Sequence, residues 1–284
     1  MADTITSTKD PDVHIISAPY EKTSSYGKGQ SKGPAAILES LNYQIEIYDK
    51  HADWETCKHV NIFQEKPLAI KNLKPEEMVK SVSKAAKQVL DNKKFFVLLG
   101  GEHSVTIGAL DALSLKYKNN LTVLQIDAHC DLRDSDVDYN DKPSKFAHCC
   151  VMHRALDFGF KTVQVGIRTM YSKEKELIKK RELTVFQCPM KADAKEIVES
   201  IKTKDVYLTI DVDGIDPSHM PATGTPVQGG LEWYFVINLL KELFRQKNIV
   251  AADITEVAPR PGDKLTEYGA AQLLYTLIGL KFKK

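Results

Sequence analysis

The chain has 284 residues, of which 43% are hydrophobic and 27% charged, so it can bury a sizeable core in one large domain or two small ones. The 39 Lys and Arg residues nearly cancel the 38 Asp and Glu residues, so no global field attracts nucleic acid or an anionic membrane. No apolar run reaches the roughly 18 residues that a membrane-spanning helix needs. The five cysteines are scattered and odd in number, which argues against a disulfide framework and favours a reducing, cytoplasmic location.

Short apolar, β-rich runs alternate with amphipathic stretches along the chain. The runs predict strands at Val13–Ser17, Phe95–Leu99, Leu121–Ile126, Thr162–Val165, Thr184–Phe186, Val206–Ile210 and Ile249–Ile254. The stretches between them predict helices at Gly33–Leu41, Pro75–Asn92, Val105–Lys116, Lys173–Lys180, Lys191–Lys202, Glu232–Gln246 and Thr266–Leu280. Strands of this kind, separated by helices, predict a central, mainly parallel sheet between two helical layers, an α/β fold of three-layer α/β/α type. We expect a single domain over residues 1–284, with about residues 1–12 as a flexible N-terminal segment.

Acidic and imidazole side chains follow several predicted strands. In an open parallel sheet, ligands bind beyond the carboxyl ends of the strands, so these positions are the place to look for chemistry. In Asp127-x-His129-x-Asp131, residues two apart project to one side if the strand continues, and Asp211-x-Asp213 repeats that geometry. The candidate set contains four carboxylates and two imidazoles: His103, Asp127, His129, Asp131, Asp211 and Asp213.

This oxygen-rich set suits Mn²⁺ better than a thiolate-loving ion. Four converging carboxylates would repel one another without cations, whereas two divalent ions can share a bridging water and convert it to hydroxide near neutral pH. One such motif alone is also compatible with a surface turn or a capping cluster. Their coincidence at separate strand ends favours a metal centre.

Five motifs in this order resemble the ureohydrolase family, which comprises arginases, agmatinases and their relatives. The matching segments are Gly100–Ser104, Asp127–Asp131, Ile210–Pro217, Gly224–Leu231 and Asp253–Pro259, preceded by a similar N-terminal piece at Ser25–Pro34. Glu102 stands where many relatives carry aspartate, a change that we expect to affect only the surroundings of the ligands. The resemblance runs from about Ile15 to Ile278 and implies the arginase-like fold.

The resemblance also implies roles for individual residues. One Mn²⁺ would be bound by His103, Asp127, Asp131 and Asp211, and the second by Asp127, His129, Asp211 and Asp213, giving two Mn²⁺ per subunit with Asp127 and Asp211 bridging. The bridging hydroxide would attack the guanidinium carbon and release urea. Asp131 would pass a proton to the departing amine, His148 would shuttle protons, and Glu256 would pair with the guanidinium. By the same resemblance we expect a homotrimer or homohexamer.

Agmatine is the substrate that the sequence favours, with putrescine and urea as products. The segment that follows Asp131, Leu132–Lys145, resembles the agmatinase form rather than the arginase form, in which Asn and Ser or Thr hold an α-carboxylate. The loop carries four aspartates, Asp134, Asp136, Asp138 and Asp141, which would suit a dication if they line the mouth of the site. They are equally compatible with a solvated loop. Aminopropylagmatine, guanidinobutyrate, guanidine and arginine stay open as substrates.

Two other functional classes are compatible with the fold. A deacylase with a single zinc ion would not need both His103 and His129, so the complete double set argues against it. A non-catalytic homologue would show the loss of a ligand, and no ligand is lost. Metal content would test the first alternative and activity with Mn²⁺ the second.

Overall fold

The computed structural model describes residues 10–283, so most of the predicted flexible N-terminal segment lies outside the described residues. The strands are β1 (Val13–Ala18), β2 (Tyr48–Asp49), β3 (Trp54–Glu55), β4 (Ile62–Gln64), β5 (Phe95–Gly100), β6 (Leu121–Ile126), β7 (Lys161–Ile167), β8 (Thr184–Gln187), β9 (Asp205–Asp211) and β10 (Asn248–Thr255). The helices are α1 (Gly33–Tyr43), α2 (Pro75–Asp91), α3 (Thr106–Tyr117), α4 (Val151–Asp157), α5 (Ser172–Arg181), α6 (Ala194–Ser200), α7 (Trp233–Gln246) and α8 (Leu265–Phe282).

Eight strands form one sheet in the order β4-β1-β5-β10-β9-β6-β7-β8, and each neighbouring pair is parallel. The strands β2 and β3 form a separate antiparallel pair. Strands β5 and β6 are buried at every residue, as expected for strands covered on both faces. The predicted mainly parallel sheet is therefore confirmed.

Helices cover the sheet on both sides. Apolar side chains of α1, α6, α7 and α8 pack in one core cluster with the sheet, and those of α2, α3, α4 and α5 pack in the other. The arrangement has the three layers that the sequence predicts. None of the helices in the described range 10–283 is long and apolar enough to cross a membrane.

The sequence prediction misses the smallest elements. Strand β4 has three residues and lies at the sheet edge, which is too short a run to give a periodic pattern. Helix α4 has seven residues and follows the motif that contains His148, in a stretch for which no helix was predicted. Helix α6 begins at Ala194, three residues later than predicted, because Asp193 accepts the N–H of Glu196 as a helix N-cap.

Candidate metal centre and active-site cavity

The four strands that precede the motifs are the four central strands of the sheet. In the order β5-β10-β9-β6, they lead into the segments that begin at Gly101, Glu256, Val212 and Asp127. The spacing of motifs along the chain does not contain this order, because β6 and β9 are separated by 78 residues and two strands. The topology brings the predicted residues together at the carboxyl ends of these central strands.

Close backbone approach at this edge requires glycine. A Cβ atom on Gly101 would lie 2.1 Å from the carbonyl oxygen of Tyr20, and one on Gly214 would lie 2.6 Å from the backbone nitrogen of Asp127. Neither backbone atom can move without displacing a motif. The glycines of these motifs therefore hold the strand ends together.

Two groups of side chains have the spacing of metal ligands. In the first, His103 Nδ1 lies 3.2 Å from Asp127 Oδ2, 3.0 Å from Asp131 Oδ2 and 3.5 Å from Asp211 Oδ2. In the second, His129 Nδ1 lies 3.0 Å from Asp213 Oδ2 and 3.5 Å from Asp127 Oδ1. Asp127 belongs to both groups. One ligand atom each from His103, Asp127 and Asp131 lies within 4.8 Å of the others, and the same holds for Asp127, His129 and Asp213. All six predicted ligands are thus brought together, and their role as ligands stays a prediction.

His103 is oriented by a chain of hydrogen bonds behind it. The Thr209 hydroxyl donates to Asp253 Oδ1 at 2.6 Å, so its oxygen must accept from His103 Nε2, 2.8 Å away. Asp253 also accepts from Tyr207 and Thr106 and is fully buried. The chain fixes the tautomer of His103 and points Nδ1 at the carboxylates.

Thr209→Val is expected to lower metal affinity by about 10- to 100-fold, because His103 Nε2 loses its acceptor and the ring loses its fixed orientation. Isothermal titration of metal into the metal-free protein would measure the change. Thr122→Val is the matched control, since Thr122 is equally buried in β6 but bonds to Thr203 at the opposite end of the sheet. Equal affinities of the Thr209 variant and the native protein would contradict the orienting role.

The residues present fit a cationic metal. His103 Nδ1 is buried and makes no hydrogen bond of normal geometry although three carboxylate oxygens surround it. Burial lowers the pKa of His103, but Asp127 and Asp131 more than reverse this and raise it well above the usual value. The surrounding carboxylates therefore favour a positive charge at this position, which a metal ion would supply in place of a proton.

The positive charge of the neighbouring side chains is not sufficient to stabilise all the ionised carboxylates of the site. Burial, followed by the charges of Asp213, Asp127 and Glu256, raises the pKa of Asp211 well above its usual value. Burial and the charge of Asp127 raise the pKa of Asp131 to about 7. Divalent cations would remove this penalty, since they stabilise the ionised carboxylates.

Two site residues adopt left-handed backbone conformations that non-glycine residues rarely occupy. Asp131 has φ 51° and Glu256 has φ 66°. Such strain persists only where surrounding structure holds it, and it clusters at functional sites. Met152 and His153 donate backbone N–H groups to the Asp131 carbonyl, and the Glu256 N–H donates to Gly101, so both residues are fixed.

Glu256 lines the cavity beside the two groups and is 7% exposed. Its Oε1 accepts the backbone N–H of His103 at 2.6 Å, and burial raises its pKa to about 8. A cation that enters the cavity would favour the ionised carboxylate. This position is compatible with the predicted contact to a guanidinium.

Glu102 anchors the N-terminal loop, residues 19–29, over the site. Its fully buried carboxylate accepts from the backbone and hydroxyl groups of Thr23 and Ser24 and from the Ser104 hydroxyl. The anchored loop brings Thr23 Oγ1 to 3.4 Å from His148 Nδ1 and Ser25 Oγ to 3.5 Å from His148 Nε2. Glu102 therefore positions the loop that contacts His148, the predicted proton shuttle, in addition to lying next to the predicted ligand His103.

Arg168 clamps the segment that carries Asp213. Its guanidinium donates to the carbonyl oxygens of Asp213, Gly214, Gly166 and Val227. All five donors of an arginine are suited to such a cluster of acceptors, which a lysine could not satisfy. Arg168 therefore holds the segment that carries Asp213 in place.

The aspartates of the 132–145 loop do not form a free acidic mouth. Asp134 pairs with Arg154, and Asp138 pairs with Arg133. Asp136 is buried and accepts the Ser144 N–H, so it holds the loop together. The charge argument for a dication made from these residues is not supported.

Two cysteines line the cavity without acting as thiolates. Burial raises the pKa of Cys130, and the contact with Cys150 together with burial raises that of Cys149. The Sγ atoms of Cys149 and Cys150 are 3.8 Å apart. Neither cysteine belongs to the two His/Asp groups with the spacing of metal ligands, so the predicted oxygen and nitrogen ligand set is unchanged.

The cavity beside the two groups has a volume of about 340 Å³, which is within the usual range for small-molecule sites. Its walls include Arg133, Tyr139 and Tyr171, none of which belongs to the motifs that the sequence predicts to carry the chemistry. Thr209 and Asp253 were also missed as orienting groups. The sequence pattern could have indicated both residues, because each is a polar residue inside a buried apolar strand. Thr209 also lies two residues before Asp211 and so on the same side of the strand.

Comparison with known proteins agrees with this geometry. The model of the family described as Arginase family matches residues 11–279. The chain belongs to the arginase family. The family and the arginase-like fold expected from the motifs are thereby confirmed, and so is the enzyme class, a ureohydrolase that acts on the C–N bonds of a guanidino compound.

Three relatives place the chain within the arginase family. The N(1)-aminopropylagmatine ureohydrolase of Synechocystis sp. is 38% identical over 98% of this chain and 92% of its own length. The agmatinase of Pyrococcus horikoshii is 32% identical over 96% and 93%. The crystal structure of the agmatine ureohydrolase of Thermoplasma volcanium has a TM-score of 0.84 and 28% identity and covers 99% of this chain and 93% of that one.

Proposed function

We propose that the enzyme hydrolyses an agmatine-type guanidino amine, N(1)-aminopropylagmatine or agmatine itself, to the corresponding amine and urea with two Mn²⁺ ions. The observation that carries the proposal is the meeting of two His/Asp groups and Glu256 in one cavity at the ends of four adjacent strands. The names of the two relatives above supply the two candidate amines. The higher identity to the Synechocystis protein favours the aminopropyl compound over agmatine, the substrate favoured by the sequence.

The six residues that would hold the ions are His103, Asp127, His129, Asp131, Asp211 and Asp213. Four carboxylates and two imidazoles form a hard donor set that suits Mn²⁺. Two bound divalent ions would supply a hydroxide near neutral pH by lowering the pKa of water. The unsatisfied Nδ1 atom of His103 supports the presence of a cation at this position.

The protein side chains bind the substrate and move protons. Glu256 would receive the guanidinium, whose planar N–H edge matches the two oxygens of a carboxylate. Asp131, beside His103 at 3.0 Å, can take the proton of the attacking water and return it to the departing amine nitrogen. His148 lies at the cavity wall under the N-terminal loop, where its ring can pass protons between the cavity and solvent.

Urea release by the Mn²⁺-loaded protein should be largest with N(1)-aminopropylagmatine or agmatine in a panel that also contains arginine, guanidinobutyrate and guanidine. Glu256 would receive the guanidinium that every compound of the panel carries, so the ranking depends on the other end of the substrate, for which the names of the two relatives supply an amine. The specificity constant kcat/KM for each compound is the measurement. A higher kcat/KM for arginine or guanidinobutyrate would refute the proposed substrate class, and metal-loaded protein inactive on the whole panel would refute the proposed function.

A further inference from the structure

One wall of the cavity is built from a cation between two aromatic rings. The guanidinium carbon of Arg133 lies 4.6 Å from the centre of the Tyr139 ring and 4.3 Å from that of the Tyr171 ring. All three side chains line the cavity that also contains Glu256. We call this group the Tyr139–Arg133–Tyr171 stack.

The positive charge of Arg133 is masked by an acidic partner, Asp138, and by the two aromatic rings. Arg133 Nη1 donates to Asp138 Oδ2, and the Arg133 side chain is 17% exposed. The rings occupy the positions over the guanidinium at which a cation–π contact forms. Arg133 is therefore already ion-paired and in contact with both rings when a substrate arrives.

We propose that the Tyr139–Arg133–Tyr171 stack and Asp138 form a specificity element that discriminates by the charge at the far end of the substrate. With Asp138 in place, the wall is a nearly neutral aromatic surface that accepts a methylene chain with a distal ammonium. Without Asp138, the same wall is cationic, repels the ammonium and attracts a carboxylate. The inference rests on the proposed function, since it assumes a guanidino substrate whose other end reaches this wall.

A pair of substrates of nearly equal length tests the inference. Agmatine ends in an ammonium and 4-guanidinobutyrate in a carboxylate, so the ratio of their kcat/KM values reports the charge of the wall. Asp138→Asn should shift this ratio toward 4-guanidinobutyrate by about tenfold, a typical effect of one unpaired charge in a partly screened site. The double variant Asp138→Asn/Arg133→Gln should lose that shift, because the unmasked charge is removed.

Asp134→Asn is the matched control, because Asp134 lies in the same loop but pairs with Arg154, which does not line the cavity, whereas Arg133 does. An unchanged ratio in Asp138→Asn, or an equal shift in Asp134→Asn, would overturn the inference. Calorimetric titration of both compounds into the metal-free proteins measures the ratio of their binding constants without turnover. A binding ratio that shifts in an enzyme that releases no urea would refute the proposed function and leave the specificity element standing.

Discussion

Asp211→Asn should abolish tight metal binding and lower kcat/KM by about 1000-fold or more. The residue ends β9 at the centre of the sheet, and its Oδ2 lies 3.5 Å from His103 Nδ1. Asparagine keeps an oxygen for the Asp213 N–H, which Asp211 Oδ1 accepts at 2.9 Å, so the local backbone is preserved while a charge is lost. Bound metal contributes several kcal/mol to transition-state stabilisation, and each 1.36 kcal/mol corresponds to tenfold in rate.

Thermal stability gives a second measurement that does not depend on activity. Added Mn²⁺ should raise the Tm of the native enzyme, because a ligand that binds only the folded state stabilises it, and should raise that of Asp211→Asn much less. Asp205→Asn is the control, since Asp205 begins the same strand and bonds to Asn248 at the amino ends of the strands, away from the candidate site. Two tightly bound metals and near-normal turnover in Asp211→Asn would exclude Asp211 from the ligands.

The sequence predicts the layers of the fold better than the arrangement within the sheet. Buried strands such as β5 and β6 give unbroken apolar runs, and helices such as α2 give a clear amphipathic pattern, so both types of element are found near their true limits. The neighbours of each strand depend on long-range packing that no local pattern contains. The placement of β10 between β5 and β9, which brings Glu256 to the predicted metal ligands, is known only from the structure.

The candidate site shows the same division. Its ligand set follows from motifs whose residues are two apart at strand ends, and the structure brings all six side chains together. The number of aspartates in the 132–145 loop did not predict its net charge at the cavity. Asp134 pairs with an arginine of α4, and Asp138 pairs with an arginine of the loop itself. Pairing of this kind depends on loop conformation, which a count of aspartates does not describe.

Glu256→Gln should keep both metals and lower kcat/KM by about 100- to 3000-fold. In the native protein, Glu256 Oε1 accepts the backbone N–H of His103. Glutamine retains an oxygen that can accept the same N–H, so His103 should stay in place. The loss comes from the charge, because breaking a buried ion pair with a guanidinium costs about 3–5 kcal/mol. If Glu256 receives the substrate, the loss should appear with every guanidino compound of the panel, whereas metal affinity should not change.

Glu267→Gln separates this effect from a general cost of altering a buried carboxylate. Glu267 is 1% exposed, lies in α8 and does not line the cavity, so its substitution should leave kcat/KM unchanged. Loss of metal from Glu256→Gln would instead place Glu256 among the groups that hold the ligands, through its bond to His103. Because Glu256 meets the ligands only through that backbone N–H and faces the cavity itself, retained metal with lost turnover is the result that its position predicts.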